Sequence, residues 1–339
     1  MRFWDREKEV RDLKAHIKSE PNSILFVYGP KSSGKSTLLM KVAEELPEND
    51  YAIYWYDLRE ELVSGYESVL GIFFKETGWK KKMLEGLSKM FKINVAVFEL
   101  DPSELSNVMS RKDNPFSYMR RELEKKRVEG KKPIIVFDEL QKLKGVYMNT
   151  PNNQRLLVNE LFNFFVRLTK VLHLAHVIVM TSDTFFIEEV YTSSSLKNTS
   201  TYYLVDYFDD ETARKILIEE GLSKEDADYI VDMSGGVPWV MAEVLSNGNP
   251  KEKLMVIYDQ VKSRLLGYIE NKMINGEDEK ITYRVLEKVL KGLYPKTPEE
   301  SREVRNLVQA EVLFYEPIKR KIKFQTKLDE RAARELLLK

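Results

Sequence analysis

Ser23-Ile-Leu-Phe-Val-Tyr-Gly29-Pro30-Lys31-Ser32-Ser33-Gly34-Lys35-Ser36-Thr37 is the stretch that decides how this 339-residue chain reads. Ile24 to Tyr28 is a short apolar run bounded by turn residues, the pattern of a buried strand. Gly29 to Ser36 then fits G-x-x-x-x-G-K-[ST], and beyond it the apolar period becomes helical through Leu38, Leu39, Val42 and Leu46. Strand, glycine-rich loop and helix in that order make a phosphate cradle. The glycines let the backbone wrap closely enough for its N–H groups to face phosphate oxygens, and the positive end of the helix dipole adds attraction. On this reading Lys35 bridges the beta and gamma phosphates of a nucleoside triphosphate. Ser36 sets its hydroxyl on magnesium, and Gly29, Pro30, Lys31, Ser32, Ser33, Gly34 and Thr37 are expected to bind the nucleotide with them.

Working outward, Tyr51 to Asp57, Pro133 to Asp138, His176 to Ser182 and Thr201 to Val205 read as further buried strands, with helix-like segments between them. That alternation predicts an α/β fold built on a parallel sheet covered on both faces. Ile134-Ile-Val-Phe-Asp138-Glu139 has the form of a Walker B strand, ending in two carboxylates at the edge where open α/β sheets bind ligands. Asp138 is expected to hold the magnesium shell, mostly through water, and Glu139 to orient and deprotonate an attacking water. The strand Val177 to Met180 ends in Thr181-Ser182-Asp183. Ser182 and Asp183 there read either as sensors of the gamma phosphate or as a helix N-cap, and the two roles are compatible. His173 and His176 lack ligand-type neighbours at the right spacing and read as core or strand-edge residues.

Composition narrows the chemistry. With no cysteine and three histidines, thiolate nucleophiles, disulfides and Cys-type zinc sites are excluded. Lys plus Arg and Asp plus Glu both number 54, so no whole-chain field draws the protein to nucleic acid or lipid, and such a partner would need a local patch. The charged N-terminus lacks a secretory h-region, and the longest nearly uncharged apolar stretch, Val171 to Met180, is about half a membrane span, so a cytoplasmic protein with no membrane partner is expected.

The chain is expected to divide into a nucleotide-binding core over residues 1–207, a helical lid over 208–250 and a winged-helix-like domain over 251–339. About 75 residues separate the second and third strands, too many for a plain connection, so residues from about 59 to 132 read as an insertion carrying its own helices. Its basic spots, Lys80-Lys81-Lys82 and Arg120 to Arg127, alternate with acids as on a solvated helix face. Past Asn247-Gly-Asn-Pro250 the net charge changes sign, and helices followed by a two-stranded ribbon suggest a winged helix. Lys319, Arg320, Lys321, Lys323 and Lys327 give that ribbon a basic patch that could face DNA phosphates.

The layout resembles the archaeal ATPase family in the AAA+/STAND division of P-loop ATPases. The resemblance is carried by Phe3-Trp-Asp-Arg6-Glu7, the Val27 to Ser36 loop, Asp138-Glu139-Leu140-Gln141-Lys142-Leu143, Leu168 to Thr184 and Gly235-Gly236-Val237-Pro238. It implies a five-stranded core of order 5-1-4-3-2 with a helical lid and a C-terminal winged helix, ATP and Mg2+ as cofactors, and ATPase activity. By the same carry-over Arg6 approaches the adenine, and Gly236 and Pro238 close the lid over the nucleotide. The chain departs from the wider AAA+ pattern in having no arginine beside Gly-Gly-Val-Pro to act as sensor 2, and Arg155 and Arg167 are the candidates for an arginine finger. No nuclease domain is expected. Three roles stay open at this point: a magnesium-dependent ATPase switch, an ATP-regulated DNA-binding protein, and a nucleotide-binding scaffold with little turnover, each compatible with a homo-oligomer or an unknown protein partner.

Overall fold

The structure, a computed structural model, describes residues 3–77, 95–150, 153–193 and 196–338. The run Lys80-Lys81-Lys82 lies outside the described residues. Among the described residues two compact units emerge: residues 6–28 with 35–204, and residues 205–338 with the loop 29–34 and residues 3–5.

In the first unit, α1 (Glu7–Lys18) buries Val10, Leu13 and Ile17, the helical stripe seen in the sequence. There follow β1 (Ile24–Tyr28), α2 (Lys35–Glu44) and β2 (Tyr51–Asp57). The long connection carries α3 (Tyr66–Phe73), a short parallel pair β3 (Phe74–Glu76) and β4 (Phe98–Leu100), then α4 (Pro102–Met109) and α5 (Pro115–Val128). After β5 (Lys132–Asp138) come a hairpin of β6 (Tyr147–Thr150) and β7 (Asn153–Leu156), then α6 (Leu157–Val166), β8 (His176–Thr181), α7 (Thr184–Thr192) and β9 (Ser200–Leu204). The connection between β2 and β5 holds helices as well as strands. Its strand pair and the hairpin after β5 were not foreseen, because runs of three or four residues are too short to show a period.

The main sheet has the order β2-β5-β8-β1-β9, all parallel. Counted among its own members this is 2-3-4-1-5, the expected order read from the other edge. Every residue of β1 and β8 is buried, as a strand covered on both faces requires, while the edge strand β9 is only half-buried. Register sets Asp57 opposite Asp138, Asp138 opposite Met180, and Tyr28 opposite Thr181, so the chemistry-bearing ends of four strands emerge along one edge. Phe137, fully buried in β5, packs its ring 5.2 Å from Tyr56 and 5.1 Å from Phe165. Such burial is worth about 1.5–3 kcal/mol per large side chain and anchors the strand that ends in Asp138.

The second unit is helical: α8 (Asp210–Glu219), α9 (Lys224–Ser234), α10 (Pro238–Val244), α11 (Pro250–Ile274), α12 (Lys280–Leu290) and α13 (Pro298–Gln309), then the ribbon β10 (Leu313–Glu316) and β11 (Lys321–Phe324), and α14 (Lys327–Leu337). Side chains of Asp209, Ser223, Asn249, Thr297 and Thr326 accept backbone N–H groups at the starts of α8, α9, α11, α13 and α14. Each cap of this kind stabilises its helix by about 1 kcal/mol. Helices on both sides of residue 250 share one apolar cluster, with Ala213, Val240, Leu254, Leu286 and Ala333 in it. The ribbon is antiparallel, with Lys321 and Lys323 exposed and Phe324 buried, the alternation its sequence predicts. Among the described residues no helix is long and apolar enough to cross a membrane.

Candidate active site

The loop between β1 and α2 takes the shape its glycines permit. Gly34 has φ +90°, a conformation that side chains disfavour, and a Cβ on Gly29 would sit 2.1 Å from the carbonyl oxygen of Val205. Ser32 is also left-handed, at φ 58°, and the Ser33 N–H donates to the Pro30 carbonyl at 3.2 Å. Within the second unit, the Lys31 ammonium pairs with Glu311, and the Tyr207 hydroxyl donates to the Lys31 carbonyl at 3.0 Å. Lys35 opens α2 and is buried. Burial pulls its ammonium down to about 8, against the charges of Glu139 and Asp138, which hold it up. Thr37 follows in the same turn.

At the edge of the sheet, residues a hundred positions apart meet. The Ser36 hydroxyl donates to Asp138 Oδ2 at 2.7 Å, joining the two motifs on which the magnesium assignment rests. Asp138 is 1% exposed, and burial pushes its carboxyl up to about 6, although the Ser36 hydrogen bond and the Arg59 charge oppose the shift. Asp57 and Glu139 add to it by like-charge repulsion. Arg59, just past β2, donates from Nη2 to Asp138 Oδ2 at 2.6 Å and to Asp57 Oδ2 at 2.8 Å. A guanidinium thus lies against the hydroxyl and carboxylate oxygens of the two motifs, which shows that this pocket of hard oxygen donors accepts positive charge. Among the described residues no cluster of three or more His, Asp or Glu could hold a metal by itself. Magnesium suits such a place, because it keeps several waters and takes few carboxylates alongside phosphate.

Glu139 is held at φ 62°, unusual for a residue with a side chain, and its N–H donates to the Met180 carbonyl of β8 at 2.9 Å. Strain of about 1–3 kcal/mol at such a position persists only where neighbours enforce it, as active sites commonly do. The Ser182 hydroxyl donates to Glu139 Oε1 at 3.1 Å, and Gln141 Nε2 pairs with Glu139 Oε2. Thr181 Oγ1 in turn donates to Gln141 Oε1 at 2.8 Å. The end of β8 therefore grips the carboxylate that follows β5. Ser182 thus lies against Glu139, whereas Asp183 caps α7 by accepting the N–H groups of Phe185 and Phe186, each at 3.0 Å. Arg59, Asp57 and Gln141 are the members of this network to which no role had been assigned. Asp57 and Arg59 sit at a strand's carboxyl end, which was a readable signal; the bonds of Gln141 and Thr181 become visible only in three dimensions.

Other expected site residues fall as follows. Arg6 is buried, pairs with Glu9 at 2.9 Å, and contributes a positive charge that helps depress Lys35. Gly236 accepts the Phe208 N–H at 3.0 Å, and Pro238 is the first residue of α10. Arg155 pairs with Glu160, and Arg167 is exposed on a short π-helical turn. His176 is buried with its Nε2 3.2 Å from the Ser19 carbonyl, and burial pulls it down to about 4, so it reads as a core histidine. On the wing, Lys319 pairs with Glu316 at 3.2 Å, Lys323 with Asp206 at 2.6 Å and Lys327 with Asp210 at 2.7 Å, while Lys321 and Arg320 are exposed. Lys327 lies on α14 rather than on the ribbon. Three of the five cations would have to leave carboxylates before meeting a phosphate.

Comparison with known proteins agrees with this geometry. Residues 3–244 match the profile of a family described as an ATPase domain predominantly from Archaea. An uncharacterized ATP-binding protein of Methanocaldococcus jannaschii is 42% identical over 326 residues, spanning 95% of this chain and 83% of that protein. Another from Pyrococcus abyssi is 32% identical over 346 residues, 99% of this chain and 98% of that one. Among solved structures, a Walker-type ATPase of Pyrococcus abyssi superposes with a TM-score of 0.65 at 18% identity, covering 98% of this chain and 96% of the other. The ORC2 protein of Aeropyrum pernix follows with a TM-score of 0.51 at 10% identity, covering 98% and 95%. The five-stranded core followed by a winged-helix domain is a fold shared with these two proteins.

Proposed function

The chain belongs to the archaeal ATPase-domain family, and on that premise we propose that it binds ATP with magnesium and hydrolyses it as a molecular switch of the AAA+/STAND type. The observation that carries this reading is the 2.7 Å bond between Ser36 and Asp138, which joins the last residue of the G-x-x-x-x-G-K-[ST] motif, next in sequence to the buried Lys35, to the end of the Walker B strand. Magnesium, held by Ser36 and through water by Asp138, would supply charge neutralisation at the phosphates. Lys35 provides a fixed cation in a site of low polarity, where it is worth more than in water. Glu139 is the general base, and Ser182 and Gln141 hold its two oxygens in place so that the carboxylate is oriented before a water arrives. With no sensor 2 arginine beside Gly236, turnover is expected to be slow.

Phosphate release, measured alongside nucleotide binding, tests this reading. Glu139→Gln keeps the shape of the side chain and removes its basicity, so binding should persist while turnover falls by about 100-fold, the usual worth of a positioned base. Equal turnover in the two proteins would move the base elsewhere. A wild type that binds ATP and never releases phosphate would make the chain a nucleotide-binding scaffold instead.

A further inference from the structure

Arg59 belongs to no motif, yet its guanidinium lies against the two oxygens to which the reading above assigns the metal. Its Nη2 lies 2.6 Å from Asp138 Oδ2 and 3.4 Å from Ser36 Oγ. These are the same two oxygens that the ATPase reading gives to the magnesium shell, and the inference rests on that reading. A guanidinium and a hydrated magnesium ion cannot both occupy the space in front of one carboxylate oxygen. The two ends of the pair differ in freedom: the Arg59 side chain is 46% exposed, whereas that of Asp138 is 2% exposed. The arginine can swing toward water and the carboxylate cannot.

Asp57 gives the arginine a second hold. Its carboxylate accepts Arg59 Nε at 3.0 Å, Nη2 at 2.8 Å and the Arg59 backbone N–H at 2.9 Å, a two-pronged clamp on the guanidinium edge. Nη2 is shared between the two carboxylates, while Nε is bonded to Asp57, so the guanidinium can give up Asp138 and keep Asp57 as a partner.

We propose that Arg59 is a built-in competitor for magnesium: it occupies the Ser36–Asp138 oxygens in the nucleotide-free chain, must be displaced for the metal to seat, and so sets the free magnesium concentration at which the metal–nucleotide complex binds. Asp57 is its resting partner while it is displaced. Magnesium must therefore break one charge-assisted hydrogen bond before it makes its own contacts, which raises the concentration it needs.

The test is a titration of free Mg2+ against a fixed, sub-saturating amount of a fluorescent ADP analogue, with wild type, Arg59→Gln and Arg59→Lys compared at about pH 8, where Asp138 is ionised. Arg59→Gln should lower the half-saturating Mg2+ by about tenfold, the size expected when a single charge-assisted bond no longer has to be broken. Arg59→Lys, which keeps the charge but cannot hold Asp57 and Asp138 with one planar fork, should fall between the two. In excess EDTA the three proteins should bind the analogue within about threefold of one another, and their circular dichroism should coincide, a control for folding. An unchanged or increased magnesium requirement in Arg59→Gln overturns the proposal. A large loss of affinity in EDTA overturns it too, because Arg59 would then be a phosphate ligand. If the wild type itself binds no nucleotide, the ATPase reading fails and this inference falls with it.

Discussion

Asp138 in the first unit and Glu300 in the second are both carboxylates only 1% exposed, yet they are driven in opposite directions. Asp138 is pushed up to about 6, chiefly by burial, while Glu300 is held down to about 2, chiefly by the Lys288 ammonium that donates to it at 2.6 Å. Glu300 also accepts the backbone N–H groups of Lys296 at 2.9 Å and Thr297 at 3.3 Å, and it completes a capping box at the start of α13. Nearby, the buried Glu303 accepts Lys272 at 2.5 Å and the Tyr268 hydroxyl at 3.0 Å, and it pairs with Thr282. These partners are fixed parts of the helical unit. Asp138 has a hydroxyl, a half-exposed arginine, and two further carboxylates pressing on it. The lesson is that equal burial leaves the direction of the shift open: fixed N–H and ammonium partners hold Glu300 down, and their shortage beside two further carboxylates leaves Asp138 raised.

The contrast breaks most readily in the second unit. Lys272→Met should cost about 3–5 kcal/mol, because it leaves Glu303 buried without its cation, and the loss should appear as a lower urea midpoint. Adding Glu303→Gln should recover part of it. A midpoint that stays put would mean that the second unit does not depend on its buried ion pair.

At the binding site the next largest effect is expected from Lys35→Ala, which removes the buried cation opposing the triphosphate. The wild type should gain about 2.7 kcal/mol in thermal stability from Mg-ATP at 100 times its dissociation constant, and the mutant none. Equal gains would detach the phosphate loop from nucleotide binding.

The finest test sets the two carboxylates against each other by pH. Asp138 titrates higher in the folded chain than in the unfolded one, so its contribution to stability declines as pH rises from about 4 to about 6. Asp138→Asn should therefore stabilise the nucleotide-free chain at neutral pH by about 1–3 kcal/mol while weakening the magnesium dependence of binding. Glu300 titrates lower when folded, so what it contributes is present above about pH 4.5 and lost as pH falls toward 2. Glu300→Gln should flatten the acid limb of a plot of urea midpoint against pH and leave nucleotide binding alone. Slopes of the same sign in both variants would erase the distinction.

The sequence reading reached the strand–loop–helix around Lys35 and all five strands of the sheet, because each rests on a local signal: an apolar run, a turn, or a residue that terminates a strand. The order of the strands came from the family resemblance, since no local signal encodes which strands are neighbours. In the second unit the structure adds helix starts capped by Asp209, Ser223 and Thr297, residue types suited to that position. The short strands of the insertion and the β6–β7 hairpin left no such signal. Ser182 and Asp183 stood as an undivided pair in sequence, and only the fold separates them: one hydroxyl faces Glu139 and one carboxylate caps α7. The wing's five cations likewise looked equivalent, until Asp206 and Asp210 were found beside two of them.

What the sequence determined by itself is the kind of chemistry: which backbone can wrap a phosphate, which side chains can ligate magnesium, and which strand ends carry them. The tertiary structure decided the occupancy and protonation of that chemistry. It set Arg59 against Asp138, folded Gln141 back onto Glu139, and buried Lys35 and Asp138 together. Local order can be read along the chain because it is made by neighbours a few residues apart. A charge's energy depends on every group and every void within several ångströms of it, and those are assembled from segments tens of residues distant.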